Sequence, residues 1–328
     1  MKSLAALQIK SGLLHCGRAL WSPQGRMISH RLPLYAILLA LAGCSTQPGP
    51  PPQIAAAAAR PLKLASWNLE FLAEKEGTGC EPRAANDYLA MRRIADSLDA
   101  DVIAFQEAES VKAAERVFDP ARYTVVMEKR PGEASGTCGG RHPDQAFIRQ
   151  AVGFAIRKGI TFDRNPDVTR LMLGNPQLRS GIDITVRARG HDPIRLLGIH
   201  LKSGCFEGSE AKACPVLLQQ VPAVEAWIDA AATGPERFAV LGDWNRRLGS
   251  PGDRFWSEID DGQPANADLR LADAGTPTSC DPRYDAFIDH IVLDRRAGAA
   301  MTGFTEAHYA NGEKHYSDHC PIAVTLAR

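Results

Sequence analysis

Short apolar runs recur along most of this chain, nearly all stop at a polar residue, and few have room for a helix before the next run begins. LKLASWN (62–68), DVIAF (101–105), RYTVVME (122–128), QAFIRQ (145–150), AVGFAIRKG (151–159), GIDITVRA (181–188), PIRLLGIH (193–200), RFAVLGD (237–243), AFIDHIVL (286–293) and PIAVTL (321–326) all read as strands. Strands in such runs are joined most simply as hairpins, so the pattern predicts largely antiparallel sheets rather than a doubly wound parallel one, which needs a helix after nearly every strand. Three segments carry a helical period. NDYLAMRRIADSLDA (86–100) places Tyr88, Met91, Ala95 and Leu98 on one face. SVKAAERVF (110–118) opens on Ser110, a suitable N-cap, and PVLLQQVPAVEAWIDAA (215–231) contains Pro222, which is expected to kink or split it. The chain has no Walker loop and no G-x-G-x-x-G.

The first 60 residues are of another kind. His30 and Arg31 lead into an apolar run from Leu32 to Ala42, too short to span a bilayer, which ends in Leu41-Ala42-Gly43-Cys44. That tetrapeptide resembles the bacterial lipobox, in which the cysteine is lipidated and becomes the mature N-terminus. We therefore expect residues 1–44 to be an export segment, with Met27 a candidate true start. Residues 45–60, rich in Pro and Ala, read as a tether. Residues 61–328 are then expected to be one folded domain, facing outside the cytoplasm of a bacterial cell, membrane-anchored through Cys44 and monomeric. The chain's formal charge is zero, but residues 1–59 hold five basic residues and no acid. The remainder carries 33 basic against 38 acidic residues, a formal charge of −5, which is no footprint for polyanion binding on composition alone.

Six cysteines lie in the domain: Cys80, Cys138, Cys205, Cys214, Cys280 and Cys320. An even number in an exported chain points to disulfides, whose pairing sequence leaves open. Cys205 with Cys214 is the pairing to favour, since they bracket a short polar loop. Cys80 with Cys138 follows, both lying in Gly-rich loops. Cys320 is read as a small buried hydrophobe. No C-x-x-C is present, which argues against a structural zinc site.

Five polar clusters sit at the ends of apolar runs: SWNLE (66–70), FQE (105–107), GIHLKS (198–203), GDWN (242–245) and YSDH (316–319). Together they supply Asn68, Glu70, Glu107, His200, Asp243, Asn245, Asp318 and His319, and Asp289 joins them from inside AFIDHIVL. Carboxylate and amide oxygens are hard ligands for Mg²⁺, Mn²⁺ or Ca²⁺. Histidines bind phosphate oxygens or carry protons near neutral pH. A Glu closing a buried strand, as Glu107 does, is costly unless paired. A buried Asp289 likewise needs a partner, for which His319 is the natural candidate.

The ordered set WN, QE, an internal His, GD-x-N, ID and SDH resembles the endonuclease/exonuclease/phosphatase (DNase I-like) superfamily, over about Leu62 to Leu326. The resemblance implies a four-layer α/β sandwich of two mostly antiparallel sheets flanked by helices. It implies metal ligation by Glu107, Asn68, Glu70 and Asp318, with Mg²⁺ the expected ion. It also implies that Asp243 orients the attacking water and Asn245 holds a phosphate oxygen. His319, steadied by Asp289, contacts the phosphate, and His200 serves as the second histidine of the DNase-like and sphingomyelinase-like branches. One departure is visible: RQAVGF (149–154) has Arg149-Gln150 where a DNase segment has Arg-Glu, which removes a charged partner from His200. The implied activity is divalent-metal phosphodiester hydrolysis, with nucleic acid the leading substrate. A phospholipid or inositol phosphate is the alternative, since GDWNRRL (242–248) resembles the 5-phosphatase version of that motif equally. A non-catalytic binding lipoprotein on the same fold stands third.

Overall fold

A computed structural model describes residues 60–130, 136–140, 142–281, 284–309 and 314–328. The export segment, Cys44 and the tether up to residue 59 lie outside the described residues. Among the described residues no helix is long and apolar enough to cross a membrane.

Two six-stranded sheets carry the domain. The first contains β1 (Leu62–Leu72), β2 (Val102–Ala108), β3 (Tyr123–Met127), β4 (Ala151–Arg157), β11 (Met301–Glu306) and β12 (Ile322–Leu326), in the order β11-β12-β1-β2-β4-β3. The second contains β5 (Thr161–Arg164), β6 (Ile182–Arg187), β7 (Ile194–His200), β8 (Arg237–Asp243), β9 (Arg270–Leu271) and β10 (Asp289–Leu293), in the order β5-β6-β7-β8-β10-β9. Each sheet is antiparallel except at its centre, where β1 pairs parallel with β2 and β7 parallel with β8. The sheets pack face to face through Leu64, Val102, Phe154, Ile184, Leu196 and Leu241. On the outer face of the first lie α1 (Ala85–Leu98) and α2 (Val111–Val117), packed through Tyr88, Met91, Ala113 and Val117. Outside the second lie α3 (Cys214–Ala232) and α4 (Arg254–Ile259), through Leu217, Val224, Trp227 and Phe255. This is the four-layer sandwich, and it forms because the central strands have one face for the shared core and one for their own helices.

Ser110 caps α2 by accepting from the Ala113 N–H at 3.1 Å, worth about 1 kcal/mol. Three expectations need correction. QAFIRQ is not a strand: outside a single bridge at Ala146 it runs as loop, because Arg149 donates to the Glu128 and Arg130 carbonyls and Phe147 packs edge-on against Phe71. Pro222 does not split α3, which continues from Cys214 to Ala232. The buried face through Leu217, Val221, Val224 and Ile228 outweighs the one lost backbone bond. Cys320 is no isolated hydrophobe: it is bonded to Cys280, their Cα atoms 6.1 Å apart. Cys205–Cys214 and Cys80–Cys138 are also disulfides.

Candidate active site

The two parallel strand pairs send four carboxyl-terminal ends to one edge of the sandwich. Register then selects the residues that meet there. In the second sheet His200 lies opposite Asp243 across β7 and β8, and Asp289 lies opposite Asp243 across β10 and β8. In the first sheet Asn68 aligns with Gln106, the residue before Glu107. The chain leading into β12 returns antiparallel to β1 and brings Asp318 and His319 to the same edge. Gly242 is required for this approach: its φ is +149°, and a Cβ would collide with the Ile199 carbonyl oxygen.

Asp243 is the hub. Its Oδ2 accepts from Asn68 Nδ2 at 3.0 Å, with His200 Nε2 at 3.4 Å and His319 Nε2 at 3.9 Å. Its Oδ1 accepts from the Asn245 N–H at 2.8 Å. Asn68 also donates to Glu107 Oε1 at 3.3 Å, so its amide ties the two carboxylates together, while its Oδ1 accepts from the Glu70 N–H. Glu107 Oε2 accepts from the Phe71 N–H at 2.9 Å. Glu70 Oε2 accepts from the Asp318 N–H at 3.0 Å and so sits at the outer side of the group. His319 Nδ1 meets Asp289 Oδ2 at 2.5 Å, while Asp289 Oδ1 is buried without a partner. All nine residues named from the sequence thus converge on one edge. Glu70, Phe71, Glu107 and Asn245 all hold left-handed backbone, with φ of 44°, 49°, 63° and 50°. Such strain costs about 1–3 kcal/mol per residue and gathers where surrounding structure enforces it.

The electrostatics separate the two histidines. Burial holds His200 well below its ordinary range, helped by the nearby Arg179 guanidinium, and its Nδ1 has no partner, so the ring is neutral. Burial opposes a charge on His319 too, but the carboxylates of Asp289, Asp243 and Asp318 raise it well above its usual range and favour the imidazolium. Burial and the Asp289 charge push Asp243 up, against the pull of His319. Burial followed by the Asp318 and Glu81 charges push Glu70 up to about 7.

That surplus of carboxylates suits a bound cation. Glu70, Glu107, Asp243, Asp289 and Asp318 crowd a cleft with an orphaned Asp289 oxygen. Donor atoms of Asp243, Asp289 and His319 lie within 4.8 Å of one another. The donor set suits a hard divalent ion. Glu107 and Glu70 accept hydrogen bonds only from N–H groups, and a carboxylate oxygen that accepts one keeps a lone pair for a cation.

Five further residues brace the site. Arg83 donates to the Leu69 and Tyr316 carbonyls and lies 4.0 Å from Glu70. Arg179 donates to the His200 and Leu201 carbonyls beneath the site. Ser317 donates from Oγ to the Asn68 carbonyl and accepts from the His319 N–H. Tyr309 donates to the His319 carbonyl, as does Trp67. Trp67 and Ser317 lie inside the SWNLE and YSDH clusters, whereas Arg83, Arg179 and Tyr309 lie in none of the five and no local signal marks them.

The chain matches the Endonuclease/Exonuclease/phosphatase family over residues 65–319. It belongs to that family. Solved structures with the same fold include truncated TDP2 of Caenorhabditis elegans, at TM-score 0.57 and 15% identity, covering 82% of this chain and 98% of that one. The catalytic domain of human Nocturnin with bound sulfate aligns at TM-score 0.53 and 14% identity, covering 81% and 94%. The 3′-5′ exonuclease NExo of Neisseria meningitidis aligns at 0.52 and 13%, covering 81% and 100%. No curated protein matches the chain. Family members are hydrolases of phosphodiester bonds and commonly use divalent metals, which accords with the carboxylate-rich cleft.

Proposed function

We propose that this protein is an exported lipoprotein that hydrolyses phosphodiesters of nucleic acid with a divalent cation, Mg²⁺ first and Mn²⁺ or Ca²⁺ as substitutes. The observation that carries the reading is the pair of histidines, His200 and His319, whose Nε2 atoms flank Asp243 Oδ2 at 3.4 and 3.9 Å in a carboxylate-lined cleft. Environments that drive two titratable groups apart divide acid, base and binding roles between them. Glu107 would hold the cation with Asn68, Glu70 and Asp318 around it; when bound, it neutralises phosphate charge and polarises the phosphorus–oxygen bonds. Asp243, its carboxyl raised above the ordinary range, is placed to orient the attacking water and take its proton at Oδ2. The His319 imidazolium, fixed at Nδ1 by Asp289, presents Nε2–H to a phosphate oxygen. Neutral His200 donates a hydrogen bond from Nε2 and, with no carboxylate at Nδ1, is a binding group rather than a strong acid. Asn245 is placed for a second phosphate oxygen.

The test is a substrate panel on the full chain with Mg²⁺, Mn²⁺ or chelator: plasmid and single-stranded DNA, RNA, sphingomyelin and an inositol polyphosphate. Chelator-sensitive degradation of nucleic acid, abolished by His319→Ala, is the expected result. Release of phosphocholine or phosphate with nucleic acid intact would move the substrate to lipid or inositol phosphate. For the anchor, Cys44→Ser should release the protein from membranes; continued membrane fractionation would refute it.

A further inference from the structure

Beside the polar edge, the same cleft has walls that the hydrolytic chemistry does not use. Its volume is about 550 Å³, the size of a pocket for a small molecule rather than a groove for a duplex. Phe206 and Tyr284 line it while remaining 43% and 48% exposed, and Phe71 and Phe147 form an edge-to-face pair in the same lining, ring centroids 5.5 Å apart. Exposed aromatic rings facing a cleft are costly to leave in water and are well suited to stack against a flat ring. The walls are braced. Cys205–Cys214 closes the loop that carries Phe206, and Cys280–Cys320 fastens the loop that carries Tyr284 to the residue after His319.

Arg247 ties the described mouth across. Arg247 lies 3.4 Å from Glu207 and 3.0 Å from Asp285, and its N–H donates to the Phe206 carbonyl. Glu207, Asp285 and Asp318 are themselves 64%, 84% and 49% exposed. Among the described lining residues Arg247 is the only arginine or lysine, and two acids already bridge it, so the described rim carries more acid than base. Binding along a duplex depends on neutralising many successive phosphates with basic residues, and the domain's charge of −5 points the same way.

We propose, resting on the nuclease reading above, that the cleft accepts one terminal nucleotide, its base stacked on the wall formed by Phe206 and Tyr284. The enzyme then cleaves at strand ends or in short nucleotide phosphodiesters and not within a closed strand. Affinity comes from one buried base beside the scissile phosphate, and the acidic rim turns away the continuous polyanion.

The full chain is assayed with Mg²⁺ on linear and circular single-stranded DNA of equal length, and on a thymidine dinucleotide with and without one base. Linear strands should shorten from an end while circles stay intact. Removing the base should raise KM about tenfold in the wild type, the modest end of base–aromatic stacking. In the double variant Phe206→Ala, Tyr284→Ala the same removal should change KM less than about twofold, and Phe206→Tyr with Tyr284→Phe should restore the difference. Circles cut as fast as linear strands would overturn this proposal and leave the nuclease reading standing. So would a base-removal effect of equal size in the double variant. Hydrolysis of sphingomyelin or inositol polyphosphate with every nucleic acid intact would overturn the nuclease reading, and this proposal with it.

Discussion

Neighbouring residues on β10 make the same kind of contact with opposite consequences. Asp289 pairs with His319 at the cleft, and His290, one position on and facing the other side of the sheet, pairs with Asp273 in the interior. Both ring nitrogens of His290 are spent: Nδ1 donates to Asp273 Oδ1 at 2.9 Å and Nε2 to the Arg246 carbonyl at 2.8 Å. Two acceptors demand two N–H groups, so the ring is held as an imidazolium. Burial opposes this, but Asp273 raises the group above its usual range. His319 spends only Nδ1; its Nε2 faces Asp243 at 3.9 Å and Asp318 at 3.7 Å across the cleft. A histidine–aspartate pair is a structural tie when every polar atom is satisfied, and a reactive one when an atom is left facing space a substrate can enter.

The largest effect should come from breaking the cleft pair. His319→Ala is expected to lower kcat by about 10²–10⁴-fold, the usual contribution of a positioned protonic group, with the thermal midpoint moved by only a few degrees. Comparable activity in a folded variant would remove His319 from the site. Breaking the interior pair should do the reverse. His290→Ala leaves Asp273 buried and unpaired, and should cost about 3–5 kcal/mol of unfolding free energy in urea titration, while kcat per folded molecule stays within about twofold. A large loss of kcat with normal stability would erase the distinction between the two pairs.

Metal removal sharpens the contrast at the next scale. Saturating Mg²⁺ or Mn²⁺ should raise the melting temperature of the wild type, and Glu107→Gln should abolish that rise, whereas a folded variant at Asp273 should retain it. Since Glu70 is raised to about 7 and Asp243 is raised as well, protons compete with the cation. The metal-dependent rise should therefore shrink as pH falls from about 8 to about 6; a rise that grew with acid would contradict the assignment. The smallest effect is linkage at His290. Its folded pKa lies above its unfolded value near 6.5, so its contribution is complete below about pH 6.5 and is lost as pH climbs through the raised value. Stability curves of wild type and His290→Gln should accordingly draw together towards alkaline pH.

Much of the sandwich is legible because its central strands are buried on both faces. β1, β2, β4, β7 and β8 read as apolar runs, and their polar ends stand out against them. The edge strands β5 and β11 escape notice. TFDR and MTGFTE alternate between exposed and half-buried positions, and little in them differs from a loop. QAFIRQ shows the opposite failure: it has a strand's composition, but its side chains are committed to loop contacts with Phe71 and with carbonyls near residue 130.

The chain's own order of residues determined the alternation of apolar runs, the helices α1, α2 and α3, the Ser110 cap and the identity of the nine polar residues at strand ends. These rest on period and local chemistry, which act over a few residues. Only the tertiary structure decided that His319 is pushed towards its charged form and His200 towards its neutral one, that Arg83 and Arg179 stand beneath the site, and that Cys320 bonds Cys280. Each depends on burial and on groups brought together by strand register from distant parts of the chain, such as Asp289 and His319, 30 residues apart, or Asn68 and Asp243, 175 apart. Solvent exclusion and Coulomb forces follow distance in space, and a linear pattern carries that distance only after the sheets have closed.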